Sequence, residues 1–233
     1  MPEKHLSSQF DSELNAVSSR VMEMGGLAES QIRMAIYALS HYNVEAADEV
    51  ILKEQKINSM EIEIDRELSS IIGRRQPTAR DLRLLIAISK ATANLERAGD
   101  EAAKIARMVK SIMGSDAPRT LPSSELRFVA ELASALLRKA LDAFARLDVK
   151  AAVSILKEDD AIDQEFDGFV RKLITYMMED PRTISPCLDL LVLAKAIERI
   201  GDHAKNIAEQ IIYIVKGTDV RHTSMEQIES AVK

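Results

Sequence analysis

Two acidic pairs stand in matching settings in this chain: Glu96-Arg97-Ala98-Gly99-Asp100 and Glu198-Arg199-Ile200-Gly201-Asp202. A spacing of four puts both carboxylates of a pair on one helical face, one turn apart. Carboxylates paired this way on two or more helices can hold a hard metal ion, because all-oxygen ligand sets select Mg, Mn, Ca or iron. The offset is 198 − 96 = 102 residues in a chain of 233, and similar runs follow each copy: Ala102-Ala103-Lys104-Ile105-Ala106 and Ala204-Lys205-Asn206-Ile207-Ala208. Gly99 and Gly201 each precede the Asp. A mid-helix glycine costs about 1 kcal/mol relative to alanine, so two of them imply that a neighbouring helix or a ligand approaches the backbone there.

Glu96 and Asp100 lie about 100° to 140° around the axis from the apolar stripe of Leu95, Ala98 and Ala102, so they project away from the bundle core. A second row, Glu54, Asn58, Glu61 and Asp65, follows at i, i+4, i+7 and i+11. Aligning Asn43-Val44-Glu45-Ala46 on Asp148-Val149-Lys150-Ala151 sets an offset of 105, with Asp159 opposite Glu54 and Asp163 opposite Asn58. If these rows face one another, the candidate metal ligands are Glu54, Asn58, Glu61, Glu96 and Asp100 in the first half, and Asp159, Asp163, Glu198 and Asp202 in the second. The alternative is that these rows are solvated faces, with Arg97, Arg199, Lys53 and Lys157 as ion-pair partners. The residues three before His5, His41, His203 and His222 are Pro2, Ala38, Ile200 and Asp219, so the Glu-x-x-His of di-iron bundles is missing. GxGxxG, Walker A, HExxH, GxSxG and paired CxxC are also missing. His203 is expected to face solvent, since the first copy carries Glu101 there.

Long helices must position these residues. The chain has 8 Gly, 6 Pro and 4% aromatic residues, with 46% hydrophobic and 29% charged, which points to an all-α fold with a real core. The first helix is expected from about Ser7 to Ser40, on Phe10, Leu14, Val17, Val21, Met24, Ala28, Ile32 and Leu39. Gly25-Gly26 marks a bend or a close helix contact. The second runs from an Asn43 cap to about Ile72, where Gly73-Arg74-Arg75-Gln76-Pro77 breaks it, and the third opens at Thr78-x-x-Asp81. The plan restarts with Leu126, Val129, Leu132, Leu136, Ala140 and Phe144 on the fourth. Asp148 caps the fifth, Asp180-Pro181 ends it, and Ser185-Pro186 starts the sixth. Two tandem antiparallel three-helix bundles follow: residues 1–114, a linker over 115–121 (marked by the turn-rich stretches 114–118 and 121–124), residues 122–217, and a polar tail over 218–233 expected to fray.

The net charge of −6 argues against a nucleic-acid binder. The single Cys187 excludes an internal disulfide and is expected to be buried. No basic-then-apolar leader opens the chain, and no uncharged stretch reaches the ~18 residues of a membrane span. A cytoplasmic protein is expected.

Several blocks resemble one family in particular. They are Arg75-Gln76-Pro77-Thr78-Ala79-x-Asp81-Leu82-Arg83, the two Glu-Arg-x-Gly-Asp signatures, Tyr176-Met177-Met178-Glu179-Asp180-Pro181-Arg182-Thr183-Ile184, and Ile212-Tyr213-x-Val215-Lys216-Gly217. In this order, within a duplicated helical frame, they are similar to PhoU proteins along nearly the whole chain. The resemblance implies a non-enzymatic regulator of phosphate uptake that keeps the phosphate-starvation response off. Its partners would be the ATPase subunit of the phosphate ABC transporter and the sensor histidine kinase, with a homodimer expected. It also implies metal (Fe, Mn or Mg) at paired E/DxxxD motifs, which fall here on the candidate ligands above. Two departures make the halves unequal: Asn58 is neutral where an acid is expected, and Phe166 stands opposite Glu61. The exposed basic loop of Arg74, Arg75, Arg80 and Arg83 is a candidate partner surface. The alternative reading from the acidic rows alone is a carboxylate-bridged metalloenzyme or a metal-storage bundle.

Overall fold

A computed structural model describes residues 8–113 and 124–232. The expected linker over 115–121 lies outside the described residues. Six long helices carry the fold: α1 (Ser8–His41), α2 (Val44–Arg75), α3 (Ala79–Met113), α4 (Ser124–Arg146), α5 (Val149–Glu179) and α6 (Ile184–Lys216), followed by a short α7 (Met225–Val232). Among the described residues there is no strand. None of these helices is long and apolar enough to cross a membrane.

The two halves turn their first corner in the same way. Tyr42 and Leu147 adopt left-handed φ of 51° and 52°, and the next amide donates back across the end of the helix, Asn43 to Ala38 O at 3.0 Å and Asp148 to Ala143 O at 2.9 Å. This is the six-to-one bond of a Schellman ending. It offsets the ~1 kcal/mol that a left-handed residue with a Cβ costs. Asn43 Oδ1 then accepts from Ala46 N at 2.7 Å, and Asp148 Oδ1 from Ala151 N at 3.0 Å, so one residue closes one helix and caps the next.

At the second corner the halves differ. Thr78 opens α3: its carbonyl accepts from Leu82 N at 2.8 Å and its hydroxyl donates to the Asp81 carboxylate at 2.7 Å. The sixth helix does not start on a Ser185 cap. A 3-10 turn, Pro181–Thr183, leads straight into Ile184, and the Thr183 hydroxyl reaches back to the Tyr176 and Asp180 carbonyls at 2.9 and 2.7 Å. Pro186 still falls in the first turn, where its missing N–H leaves nothing unpaired.

Each half is a three-helix bundle, and their buried side chains join into one core. The largest helix contact is α3 against α6. It is antiparallel: Arg83 lies beside Gly217, the Lys90 ammonium sits 5.5 Å from the Tyr213 ring centre, Asn94 meets Asn206, and Glu101 meets Arg199. Paired residue numbers sum to near 300, as expected of duplicated helices crossing about a local twofold axis. α1 and α4 also touch, and there Gly25 has a reason: a Cβ on it would stand 2.5 Å from Leu141 Cδ2, whereas one on Gly26 would meet nothing.

The tail does not fray. Val220 and Ile228 are buried, Lys157 of α5 pairs with Glu229 of α7, and Lys216 Nζ donates to Val232 O at 2.7 Å. Val220 and Ile228, with the partly buried Met225 and Val232, hold α7 against α5 and α6. Cys187 is buried, as expected.

Candidate functional site: two carboxylate rows

The second and third helices of each half bring their acidic rows together. In the first half, Glu54 and Glu61 of α2 face Glu96 and Asp100 of α3. Glu96, Asp100 and Glu61 register their neighbours. Burial, then Asp100 and Glu61, push Glu96 up to about 7. Burial and the Glu54 carboxylate, which shares a hydrogen bond with it, raise Asp100. Burial and Asp65 raise Glu61. Asn58 lies between Glu54 and Glu61 on the α2 row, and its buried Oδ1 has no hydrogen-bond partner. Arg107 answers Glu54 from α3.

In the second half, Asp159 and Asp163 of α5 face Glu198 and Asp202 of α6. Burial, then Glu198, Asp159 and Asp163, push Asp202 up to about 6, and burial together with Asp159 raises Asp163. Asp159 is 1% exposed and takes Lys205 Nζ at 2.8 Å. Glu198 takes Lys195 Nζ at 2.6 Å on one oxygen, while its buried Oε2 has no partner. Lys195 also sits over the Phe166 ring, 5.2 Å from its centre. An aromatic face and a cation thus occupy the place of Glu61 in the first half, which makes the second row less acidic.

The signature glycines are explained by packing. A Cβ on Gly99 would stand 2.9 Å from Gln31 Oε1 and 3.2 Å from Ile57 Cδ1, and one on Gly201 would stand 3.0 Å from Ile162 Cδ1 and 3.1 Å from Asp159 Oδ1. Ile57 and Ile162 are equivalent under the 105-residue offset. In both halves, therefore, an isoleucine of the second helix rides over the glycine of the third, which draws the two acidic rows close. The approaching group is a neighbouring helix.

The donor set fits a hard cation in type: carboxylates crowded enough to resist ionisation, with orphaned buried oxygens on Asn58 and Glu198. Its positions are not converged. Among the described residues no three Asp, Glu, His or Cys side chains are grouped so as to hold a metal ion. Cations occupy part of the space, and they are not the ones anticipated. Lys53 pairs with Glu49, Lys157 with Glu229 and Arg199 with Glu101, while Arg107, Lys195 and Lys205 serve the rows. Helical spacing could have suggested Lys53 with Glu49 and Lys195 with Glu198, but not the cross-helix pairs of Arg107 with Glu54 and Lys205 with Asp159.

His203 does not face solvent. It is half-buried between α3 and α6, where its Nδ1 lies 3.1 Å from Asn94 Oδ1. The same oxygen accepts from Asn206 Nδ2 at 3.0 Å, and Asn94 Nδ2 donates to Lys90 O at 2.8 Å. That network assigns the proton to Nδ1. Burial, reinforced by Arg97 and Arg199, holds the ring down to about 4 and so neutral.

The basic loop is only partly free. Arg75 grips Glu13 with both Nε and Nη2 at 3.0 and 2.8 Å, and Arg74 joins at 3.3 Å. Arg83 packs against the end of α6 at Gly217, with its Nε buried and unpartnered. Arg80 is exposed.

A sequence profile described as the PhoU domain matches this chain twice, over residues 21–109 and 126–211. A Burkholderia protein named phosphate-specific transport system accessory protein PhoU homolog is 52% identical over 98% of this chain and 97% of its own length. The Escherichia coli phosphate-specific transport system accessory protein PhoU is 45% identical over 97% of this chain and 93% of its own. The crystal structure of PhoU from Pseudomonas aeruginosa superposes with a TM-score of 0.85 at 44% identity, covering 90% of this chain and all of that one. The phosphate transport system regulatory protein PhoU from Streptococcus pneumoniae gives 0.83 at 28% identity, over 91% of this chain and 99% of its own.

Proposed function

This chain belongs to the PhoU family, and from that premise we propose that it is a non-enzymatic regulator coupling the phosphate ABC transporter to a sensor histidine kinase. The coarser statement, an accessory protein of phosphate-specific transport, rests on relatives of that name matching nearly the whole chain. In the finer reading the protein works in the cytoplasm as a homodimer. It contacts the transporter's ATPase subunit and the kinase, and holds the phosphate-starvation response off when phosphate is plentiful.

One observation carries the metal part of this reading: both halves crowd carboxylates at equivalent places, to the point that Glu96 and Asp202 titrate near 7 and 6. Glu54, Asn58, Glu61, Glu96 and Asp100 would hold a hard cation (Fe, Mn or Mg) in the first half, and Asp159, Asp163, Glu198 and Asp202 in the second. A bound cation would supply the positive charge that relieves this repulsion. The chain's own contribution is to clamp α2 on α3 and α5 on α6. Lys205 and Lys195 would have to swing off Asp159 and Glu198 when the second row is engaged. Occupancy would then be sensed as a change in how tightly paired helices are held.

The test is elemental analysis of protein prepared without chelator, comparing wild type with Glu96→Ala/Asp100→Ala and Glu198→Ala/Asp202→Ala. Stoichiometric metal that drops by site supports the reading, and metal at background in wild type removes it. For the regulatory part, deletion of the protein is expected to derepress phosphate-regulated transcription in high phosphate. Unchanged transcription would refute it. Phosphoester turnover or oxygen consumption by the metal-loaded protein would instead favour the metalloenzyme alternative.

A further inference from the structure

A cleft of about 650 Å³ opens on the local twofold axis, where α3 and α6 cross, lined by Glu54, Arg97, Asp100, Glu101, Lys104, Arg107, Arg199, Asp202, His203 and Asn206. Four cations and four carboxylates line it, yet they are not equally presented. The cationic side chains are the exposed ones: Lys104 is 40%, Arg199 49% and Arg107 52% exposed, against 7% for Glu101 and 18% for Glu54. Glu101 lies beneath, with Lys104 Nζ at 2.7 Å on one oxygen and Arg199 Nη1 at 3.1 Å on the other. A buried carboxylate that orients two cations holds them ready for an anion at little further entropic cost. Asp100 and Asp202 belong to the carboxylate rows, and their strongest acidic neighbours are Glu54 and Glu198. Arg97 is exposed and, among the described residues, enters no ion pair.

The arginines of both signatures, Arg97 and Arg199, come together in one cleft; Arg97 also lies near enough to Glu96 and Glu61 to ease their crowding, but it closes an ion pair with neither. We propose that this cleft is a binding site for a small oligophosphate anion, held by Arg97, Arg199, Lys104 and Arg107. Guanidinium forks match phosphate oxygens in pairs. Four cations spread over a cleft of this size call for several anionic groups on one ligand, more than orthophosphate carries. Every lining residue is polar or charged, so no apolar side chain is offered to an acyl chain, and the anionic groups of a ligand would supply its main contacts.

Isothermal titration of the full chain with tripolyphosphate, pyrophosphate, orthophosphate, ATP and citrate tests this. It is run in chelator, so that the outcome is separate from the metal reading. Tripolyphosphate is expected to bind more tightly than orthophosphate or citrate, and ATP no more tightly than tripolyphosphate. Arg97→Gln and Arg199→Gln should each weaken tripolyphosphate binding by roughly 10-fold or more, the loss of one charged hydrogen-bonding partner. Arg182→Gln, on the distant α5–α6 corner, should leave it unchanged. Circular dichroism of each variant confirms folding. The proposal is overturned if none of the phosphates binds, if citrate or orthophosphate matches tripolyphosphate, or if the two arginine variants bind as wild type does. Binding of an Asp/Glu-rich peptide with no binding of phosphates would likewise overturn it, assigning the cleft to a protein segment.

Discussion

The packing around the signature glycines can be tested by adding one methyl group at each of four places. Gly26, Gly99, Gly168 and Gly201 all lie inside helices. Glycine-to-alanine substitution there should gain about 1 kcal/mol from helix propensity alone. At Gly26 and Gly168 a Cβ meets nothing within 4 Å, so the full gain should appear. At Gly99 it would stand 2.9 Å from Gln31 Oε1. Gln31 cannot easily retreat, since it is fully buried and its Nε2 is committed to Val50 O at 3.0 Å. At Gly201 it would press on Ile162 at 3.0 Å and on Asp159 at 3.1 Å, and Asp159 is fixed by Lys205. Overpacking of this kind costs about 1–3 kcal/mol, which cancels or reverses the propensity gain. Gly99→Ala and Gly201→Ala should therefore lie about 1–3 kcal/mol below Gly26→Ala and Gly168→Ala. For a chain of this size that is a separation in Tm of roughly 2–4 °C per kcal/mol. Thermal melts followed at 222 nm, with urea midpoints as a second measure, read it directly. If the signature variants melt at or above the other two, the helices are not seated on these glycines and the proximity of the rows needs another cause.

The crowded carboxylates predict a pH dependence. A carboxyl whose folded pKa exceeds its ordinary value stabilises the fold when protonated, and that contribution is lost as pH rises through the folded value. With Glu96 near 7, chelator-treated protein should gain stability as pH falls from about 8 to about 6.5, and Glu96→Gln should flatten that slope; an unaltered slope in the variant would refute the assignment. His203 works in the opposite sense at lower pH, because its folded value near 4 means that stability is lost as pH falls below its ordinary 6.5. Asn94→Ala removes the acceptor shared by His203 and Asn206 and should destabilise by about 1–3 kcal/mol, read as a lower urea midpoint; an unchanged midpoint would show the network to be dispensable. Truncation after Gly217 removes the buried Val220 and Ile228 and the partly buried Met225 and Val232, all at the margin of the core, so the bundle should stay folded with a Tm lowered by a few degrees; a collapse of helicity would show that α7 is integral to the second half.

Much of this architecture is legible in the sequence. The helix frame follows from apolar periodicity, and the two Asx caps from single residues before apolar runs. The repeat is visible because packing preserved Gly99 with Ile57 and Gly201 with Ile162. What is not legible depends on which helix meets which. The stripe on α3 says which residues turn inward but not that another face meets α6, so His203 reads as exposed. Arg107, Lys195 and Lys205 are invisible as partners because their carboxylates sit on another helix or cannot be told from many alternatives. The tail is misread because its apolar stripe, Met225, Ile228 and Val232 at i, i+3 and i+7, is only two turns long and sits in a polar stretch, yet with Val220 it docks one short helix onto an existing core.

The local twofold between α3 and α6 means that the chain is built as a dimer would be, with both protomers written into one gene. A symmetric homodimer must accept every substitution twice, once on each side of its axis. Fusion lifts that constraint. Glu101 can stand where the other half has His203, and Lys104 where it has Asn206, so a cleft lying on a symmetric frame has become chemically one-sided. Substitutions that would be self-defeating in pairs are open to this protein singly, at the largest contact between its halves.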